Sequence, residues 1–179
     1  MSGYVELQCA SHFSFLRGVS SAEELFATAA MLGMEALAVT DLNSLSGIVR
    51  AHEAARTTNV RLIVGCRLKL RCGTELLVYP KDRPAYSRLC RLLSIGKSRA
   101  GKAKCDLTWE DVAEWAEGMV AILLPERPNA ALRTRLKRLK SIFGDNGYCA
   151  LTLWRRPRDT LRLHQTIQTA NEFGVLSVA

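Results

Sequence analysis

Residues 36–41 read Ala36-Leu37-Ala38-Val39-Thr40-Asp41, a short apolar run bounded by turn residues and closed by an acid. A run this short, without polar alternation, suits a strand buried on both faces, as a parallel sheet covered by helices requires. Immediately upstream, Ser20 and Ser21 each stand three residues before a glutamate, Glu23 and Glu24. That doubled capping-box signal predicts a helix through Leu25, Ala29 and Leu32, ending at Gly33, where glycine takes the left-handed cap conformation. Further upstream, Tyr4–Cys9 alternates apolar and polar residues and reads as a strand. Downstream, the loop Asp41–Ser44 leads into a helix running to about Arg56, and Arg61–Leu70 (RLIVGCRLKL) is the next strand, interrupted at Gly65.

The same alternation continues to the last residue. Glu75–Tyr79 reads as a strand, and Pro84 opens a helix in its first turn, where a missing N–H costs nothing. Gly96–Lys104 (GKSRAGKAK), rich in glycine, small residues and bases, is expected to be an exposed, mobile loop. Thr108 caps a helix carrying Trp109, Val112 and Trp115, with Asp111 in the box position. Met119–Leu124 is a strand, Arg127–Phe143 a helix, Tyr148–Trp154 a strand and Pro157–Phe173 a helix closed by Gly174. Val175–Ala179 starts a further strand, on which the sequence stops; an uncapped terminal strand is expected of a fragment. Strands alternating with helices through short connections argue for a parallel α/β architecture with right-handed crossovers. Seven strand candidates suit a barrel as well as an open sheet. No G-x-G-x-x-G or G-x-x-x-x-G-K-[ST] follows any of them, so a nucleotide-binding sheet has no motif support.

Composition excludes several classes. With 179 residues the chain is one domain or slightly more. A hydrophobic content of 48% supplies a core and rules out a disordered chain. No run approaches the length of a membrane span, and no basic stretch precedes an apolar one at the N-terminus, so a cytoplasmic protein is expected. Cys9, Cys66, Cys72, Cys90, Cys105 and Cys149 include no C-x-x-C pair, which points to reduced, mostly buried thiols rather than zinc or disulfides.

The formal charge of +8 is uneven. Residues 1–60 carry −3, residues 80–104 carry +7, residues 105–125 carry −5 and residues 126–179 carry +6. A basic stripe of this kind suits a phosphate backbone or an acidic partner. In the helix bearing Arg133, Arg135, Lys137, Arg138 and Lys140, however, Leu132, Leu136, Leu139 and Phe143 mark one core face, and the bases simply cover the other. The remaining candidates for a nucleic-acid or partner contact are Lys97, Arg99, Lys102 and Lys104. No aromatic residue interleaves with them, so base stacking is not indicated there.

In α/β barrels reactive groups lie in the loops after the strands. Here those loops offer Ser11, His12, Ser14 and Arg17, then Asp41, Leu42 and Asn43, then Gly65, Cys66 and Arg67. A metal-dependent hydrolase needs converging imidazoles and carboxylates, and beyond His12 and Asp41 little is available. His52 and His164 fall on predicted helices, where a lone histidine is more often packed or solvated than a ligand. Cys9 near His12 is a remote nucleophile candidate.

Three stretches read together: Glu6-Leu7-Gln8-Cys9-Ala10-Ser11-His12-Phe13-Ser14-Phe15-Leu16-Arg17-Gly18, then Ala36–Asp41 with Ser46-Gly47, and Leu62-Ile63-Val64-Gly65-Cys66-Arg67. Their order and spacing resemble the PHP (polymerase and histidinol phosphatase) domain at the N-terminus of bacterial C-family DNA polymerase alpha subunits. The F-S-F-L-R-G string, Glu23-Glu24-Leu25, Val49-Arg50-Ala51-His52 and Leu89-Cys90-Arg91-Leu92 resemble the error-prone, translesion branch, which works beside an inactive Y-family-like partner.

The resemblance implies a distorted (β/α)7 TIM-like barrel, here truncated at the seventh strand, with residues 1–179 forming the PHP domain and the polymerase palm, fingers and thumb lying outside them. It also implies that the metal site is degenerate. The family's H-x-H pair is matched by Gln8 and Ala10, and the acid before the loop glycine by Arg17. T-D-H becomes Thr40-Asp41-Leu42, and the glutamate of G-x-E becomes Arg67, while the later D-x-H would lie beyond Ala179. Of the matched ligand positions only Asp41 survives. Two arginines beside a metal would repel it, so guanidinium groups are expected to stand in for the ions, with Asp41 paired to one of them. The competing expectation is that Asp41 merely caps the next helix or turn.

The function implied is a metal-free scaffold supporting the core of an error-prone DNA polymerase in damage-induced mutagenesis. It has no catalytic residues and no cofactor of its own, although magnesium is expected for the full-length polymerase. Implied partners are DNA through the full-length enzyme, the rest of the polymerase core, the sliding clamp and the family's mutagenesis partner proteins. The alternative is a metal-dependent phosphoesterase, either a 3′–5′ exonuclease or a histidinol-phosphatase-like enzyme.

Overall fold

A computed structural model describes residues 4–179. The chain divides into two compact units, the first ending at Leu68 and the second beginning at Lys69.

In the first unit, strands β1 (Glu6–Cys9), β2 (Ala36–Val39) and β3 (Arg61–Val64) form a parallel sheet in that order. Every residue of β2 is buried, as its unbroken apolar run requires of a central parallel strand. Helix α1 (Ala22–Met31) begins on the expected capping box: Ser21 Oγ accepts from Glu24 N, and the Glu24 carboxylate accepts from Ser21 N at 2.8 Å. It ends at Met31, with Leu32 as its C-cap and then Gly33, whose φ of +69° is the left-handed exit that glycine makes without strain. Helix α2 (Ile48–Thr58) packs against α1, and Phe26, Ala29, Ile48, Ala51, Ala54 and Val60 build the core with Leu37 and Val39 of the sheet. It starts after Gly47, later than the expected exit from the Asp41–Ser44 loop, and without a side-chain cap.

Gly65 breaks the long third run in two, and β4 (Cys66–Lys69) begins just past it. Gly65 N donates to Val39 O, Arg67 N to Asp41 O and Asn43 N to Arg67 O. The β4 backbone therefore tracks alongside residues 41–43, one step beyond the end of β2.

The second unit departs from the all-parallel expectation. Strand β5 (Glu75–Pro80) pairs antiparallel with β6 (Met119–Leu124), whereas β7 (Gly147–Ala150) and β8 (Leu176–Val178) continue from β6 in parallel. The cause is the tight turn that precedes β5: Leu70 N donates to Thr74 O across Gly73, which sits at φ +79°. A turn of this length reverses the chain, where a parallel connection would need a crossover of a dozen residues or more. Two helices, α3 (Arg83–Ala100) and α4 (Trp109–Trp115), then separate β5 from β6. Helix α5 (Ala130–Phe143) buries Leu132, Leu136, Leu139 and Phe143 against β6 and β7, as its apolar spacing predicts. Helix α6 (Asp159–Glu172) precedes β8. Among the described residues the strands form one sheet of three, in the order β1–β2–β3, and one of five, in the order β4–β5–β6–β7–β8.

Two further expectations are corrected. The basic stretch from Gly96 is not a mobile loop at its start, because α3 runs through it to Ala100. Gly96 is buried where Cys105 and Leu107 return, and a Cβ there would lie 2.6 Å from Leu107 Cδ2. Only a side chain ending at the α-carbon lets that backbone approach. The strand expected over Tyr148–Trp154 stops at Ala150, and residues 151–156 form an irregular loop.

Candidate functional site

Asp41 follows β2 by one residue beyond Thr40 and is 1% exposed. Both carboxylate oxygens are engaged. Oδ1 accepts from Ser11 N at 2.8 Å and from Ser14 Oγ at 2.6 Å, and Oδ2 accepts from Ser11 Oγ at 2.8 Å. Each serine hydroxyl accepts a backbone N–H in turn, from Phe13 (3.2 Å) and Leu42 (3.0 Å) respectively. The donors thus run in two short chains, Phe13 N–H to Ser11 to Asp41 and Leu42 N–H to Ser14 to Asp41. This is a buried polar network with its members satisfied, which fixes one loop geometry. Neighbouring contacts tighten it. Thr40 N and Oγ1 both donate to Cys9 O, and the Cys66 thiol contacts Asp41 O at 3.4 Å. A Cβ on the buried Gly47 would stand 2.9 Å from both Asp41 Oδ2 and Phe13 Cδ2, and one on Gly18 would stand 2.1 Å from Ser11 O.

Neither expectation for Asp41 matches this arrangement. Among the described residues its partners are serines, not the guanidinium of Arg17 or Arg67. Nor does it cap the helix that follows, because α2 starts after Gly47 without a side-chain cap. Instead it fastens the loop that leaves β1, some thirty residues upstream. Gln8 and Arg17 are exposed, whereas Ala10, Leu42 and Arg67 are half-buried.

The residues at the matched positions offer few metal donors. Ala10 and Leu42 offer no side-chain lone pair, Arg17 and Arg67 bring positive charge, and the Asp41 oxygens already face three hydrogen-bond donors. Among the described residues no group of three or more His, Cys, Asp or Glu side chains is placed to hold an ion. His12 is exposed, with Nδ1 3.3 Å from Ser20 O and its ring 4.6 Å from Phe13. His52 and His164 are exposed on α2 and α6. The Cys9 thiol is pushed up to about 11, first by burial and then by the charges of Glu6 and Asp41, so it is no ready thiolate.

The basic residues around 97–104 are not equivalent. Arg99 is bound in a bidentate pair with Asp111, Nη1 to Oδ2 at 2.7 Å and Nη2 to Oδ1 at 2.9 Å, and also donates to Asp106 O. That pair holds the Asp111 carboxyl well below the usual aspartate range. Arg99 therefore ties α3 to the start of α4, while Lys97, Lys102 and Lys104 are exposed without an ion pair among the described residues.

Missed by the sequence reading was the loop after β7, which holds Trp154, Arg155, Arg156 and Arg158. The available signal was an aromatic residue set among bases, the pattern sought and not found at 97–104.

Parallel strands with polar groups gathered past their C-terminal ends define an α/β fold of the TIM-barrel type. Two solved structures share it. An amidohydrolase from Chromobacterium violaceum superposes with a TM-score of 0.70 at 15% identity, covering 97% of this chain and 84% of that one. A Bifidobacterium adolescentis protein named for a metal-dependent phosphoesterase gives 0.69 at 13% identity, covering 99% and 86%. At these identities the likeness is one of fold.

The chain belongs to the PHP domain family, whose profile matches residues 6–152. It is 54% identical over 98% of its length to error-prone DNA polymerase 2 of Agrobacterium fabrum. It is 43% identical over 98% to the error-prone DNA polymerase of Caulobacter vibrioides, and 42% identical over its whole length to that of Pseudomonas aeruginosa. The chain spans about a sixth of the length of these curated relatives, 16% in the first case.

Proposed function

We propose that this chain is the PHP segment of an error-prone DNA polymerase and serves there as a scaffold for the polymerase core. The observation that carries this reading is the 54% identity along 98% of the chain to a relative so named, of which the chain makes up 16%. The site chemistry supports it. The five other positions that the resemblance matches to ligands hold Gln8, Ala10, Arg17, Leu42 and Arg67, and the surviving Asp41 is spent on Ser11 and Ser14. The acid that other members direct at a metal here locks a loop, which is a structural use of the same residue.

That loop presents Phe15, Leu16 and Val19 at 85%, 90% and 94% exposure, a stiffly held apolar tip suited to packing against further protein. In the whole enzyme the scaffold meets DNA and the polymerase core, and magnesium serves the polymerase centre outside these residues. Sliding-clamp and mutagenesis-partner contacts and a cytoplasmic location belong to the same reading. No helix among the described residues is long and apolar enough to cross a membrane.

The test is metal analysis of the purified chain together with primer extension. Zinc and manganese are expected well below one ion per chain, and no template-dependent product is expected. Stoichiometric metal would overturn the metal-free scaffold and restore the phosphoesterase alternative, whose donor set is not favoured by the geometry. Template-dependent product would overturn the assignment of polymerase chemistry to regions outside the chain.

A further inference from the structure

The loop after β7 reads Leu151-Thr152-Leu153-Trp154-Arg155-Arg156-Pro157-Arg158. It leaves the C-terminal end of a parallel strand, the edge at which α/β folds place their binding groups. Leu153, Trp154, Arg155, Arg156 and Arg158 are all exposed, Trp154 by 53%. A large aromatic ring left half in water amid three arginines is poor packing and good binding surface.

The loop is built rather than loose. Asp159, 7% exposed, accepts from Trp154 N at 2.5 Å and from Arg162 Nε at 2.7 Å, and Arg162 also donates to Thr152 O. One buried ion pair therefore clips both ends of the segment together. Asp159 N donates to Arg156 O, and Leu151 N donates to Val178 O of β8. Arg155 and Arg158 hold φ of +54° and +65°, a left-handed conformation that non-glycine residues adopt only where the surroundings impose it.

The charge on this loop is uncommitted. Arg71, Arg88, Arg99, Arg133 and Arg138 are each paired with a carboxylate, as is Arg162. No carboxylate pairs with Arg155, Arg156 or Arg158 among the described residues. Asp159, the acid within this segment, is spent on Arg162 and Trp154 N. The neighbouring loop after β6 adds Glu126 and Arg127, which leave the balance unchanged. Arg156 also lies over the Trp154 ring, 5.4 Å from its centroid.

We propose that the loop following β7 binds single-stranded DNA, with Trp154 as a stacking platform and Arg155, Arg156 and Arg158 as phosphate ligands. Guanidinium groups match phosphate oxygens in a planar fork, and an exposed indole accepts the face of a base. A duplex offers no such face, because its bases are stacked on one another, so the aromatic residue selects a single strand. An acidic protein segment would satisfy the arginines and leave the indole unused. The choice of DNA rests on the polymerase-segment reading, and the site differs from the 97–104 surface.

Binding of a fluorescein-labelled oligo(dT) to the full chain, followed by anisotropy and by tryptophan quenching, tests the site. Trp109 is buried and Trp115 half-buried, so quenching on binding reports Trp154 without any substitution. The affinity is expected to fall with salt along a log–log slope of about −2, from roughly 0.7 per phosphate for three contacts. Replacing Arg155, Arg156 and Arg158 together by Gln should weaken binding at least tenfold and flatten that slope. Trp154→Ala should weaken it about tenfold and Trp154→Phe should restore most of the loss. The Lys97, Lys102 and Lys104 to Gln variant should bind like the parent.

Several results would overturn the site. They are no binding at low salt, unaltered binding by the triple arginine variant, unquenched tryptophan in the bound parent, or displacement by poly-Glu at the same charge concentration as oligo(dT). None of these would touch the metal analysis or the polymerase kinship, so failure here is distinct from failure of the scaffold reading.

Discussion

Two loops of this molecule are each fastened by a buried aspartate, and the difference between them separates structure from function. Asp41 takes only neutral donors, Ser11 and Ser14, and the loop it fixes ends in an apolar tip. Asp159 takes a guanidinium and a backbone N–H, and the loop it fixes exposes an indole and three arginines. A carboxylate satisfied by neutral donors draws no arginine into its loop, so the exposed tip of that loop can be apolar. A carboxylate neutralised by Arg162 frees the other arginines of its loop for a ligand. In both cases the acid organises and its neighbours act.

The largest expected effect breaks the first loop. Asp41→Ala leaves Ser11 N, Ser11 Oγ and Ser14 Oγ without their buried acceptor, and should cost about 3 kcal/mol in urea unfolding. Asp41→Asn should cost less than Asp41→Ala, because one carbonyl acceptor remains. A cost equal to that of Asp41→Ala would mean that the negative charge itself carries the network.

Crowding the same network comes next. Gly47→Ala places a methyl group 2.9 Å from Asp41 Oδ2 and Phe13 Cδ2, and should cost about 2 kcal/mol. An unchanged unfolding midpoint would show that the serine–aspartate geometry yields more readily than described.

The second loop should respond locally rather than globally. Asp159→Ala removes the clip, and amide exchange at Trp154 should accelerate while the β6–β7 ladder keeps its protection. Uniform acceleration would make Asp159 a determinant of the whole unit and erase the contrast with Asp41.

A smaller effect is set by pH. Arg162, with the N–H groups of Trp154 and Arg155, holds the Asp159 carboxyl below the ordinary aspartate range against the opposing cost of burial. Arg99, with Thr108, does the same for Asp111. For a lowered carboxyl the folded state binds protons less readily than the unfolded one. The stabilisation is therefore full above the usual aspartate pKa of about 4 and is lost as pH falls through the depressed value. Trp154 fluorescence should hold steady from pH 7 to about 5 and change only at more acid pH. A transition near neutrality would point to a different group.

The smallest effect is chemical. Burial pushes the Cys149 thiol up to about 12; at the exposed Cys72 partial burial also acts upward, but the hydrogen bonds of Thr74 and the backbone, with the Arg135 charge, together leave its thiol lowered. A thiol reagent should modify Cys72 first and Cys149 only on unfolding.

Much of the fold was legible because its signals are local. The capping boxes at Ser21–Glu24 and Thr108–Asp111 formed as their spacing dictates, and so did the apolar face of α5. Gly65 marked a real break. What misled was locality as well. Gly96–Ala100 is rich in residues that favour loops, yet it is helical because Cys105 and Leu107 return to cover Gly96. The antiparallel entry of β5 depends on a turn at Gly73 that reads equally well as an ordinary loop. At the candidate site the ligand losses expected at Gln8, Ala10, Arg17, Leu42 and Arg67 are implied by the resemblance to the family; residue type alone says only that none of the five supplies an imidazole, carboxylate or thiolate.

The sequence by itself therefore determined most of the elements and the family they belong to, because periodicity, caps and side-chain identity are written residue by residue. Only the tertiary structure decided what Asp41 is for and which arginines remain unpaired. Those answers depend on partners thirty residues away at Ser11 and Ser14, or on whether a carboxylate such as Asp111 happens to meet Arg99. A charge in a sequence has no partner until folding supplies one.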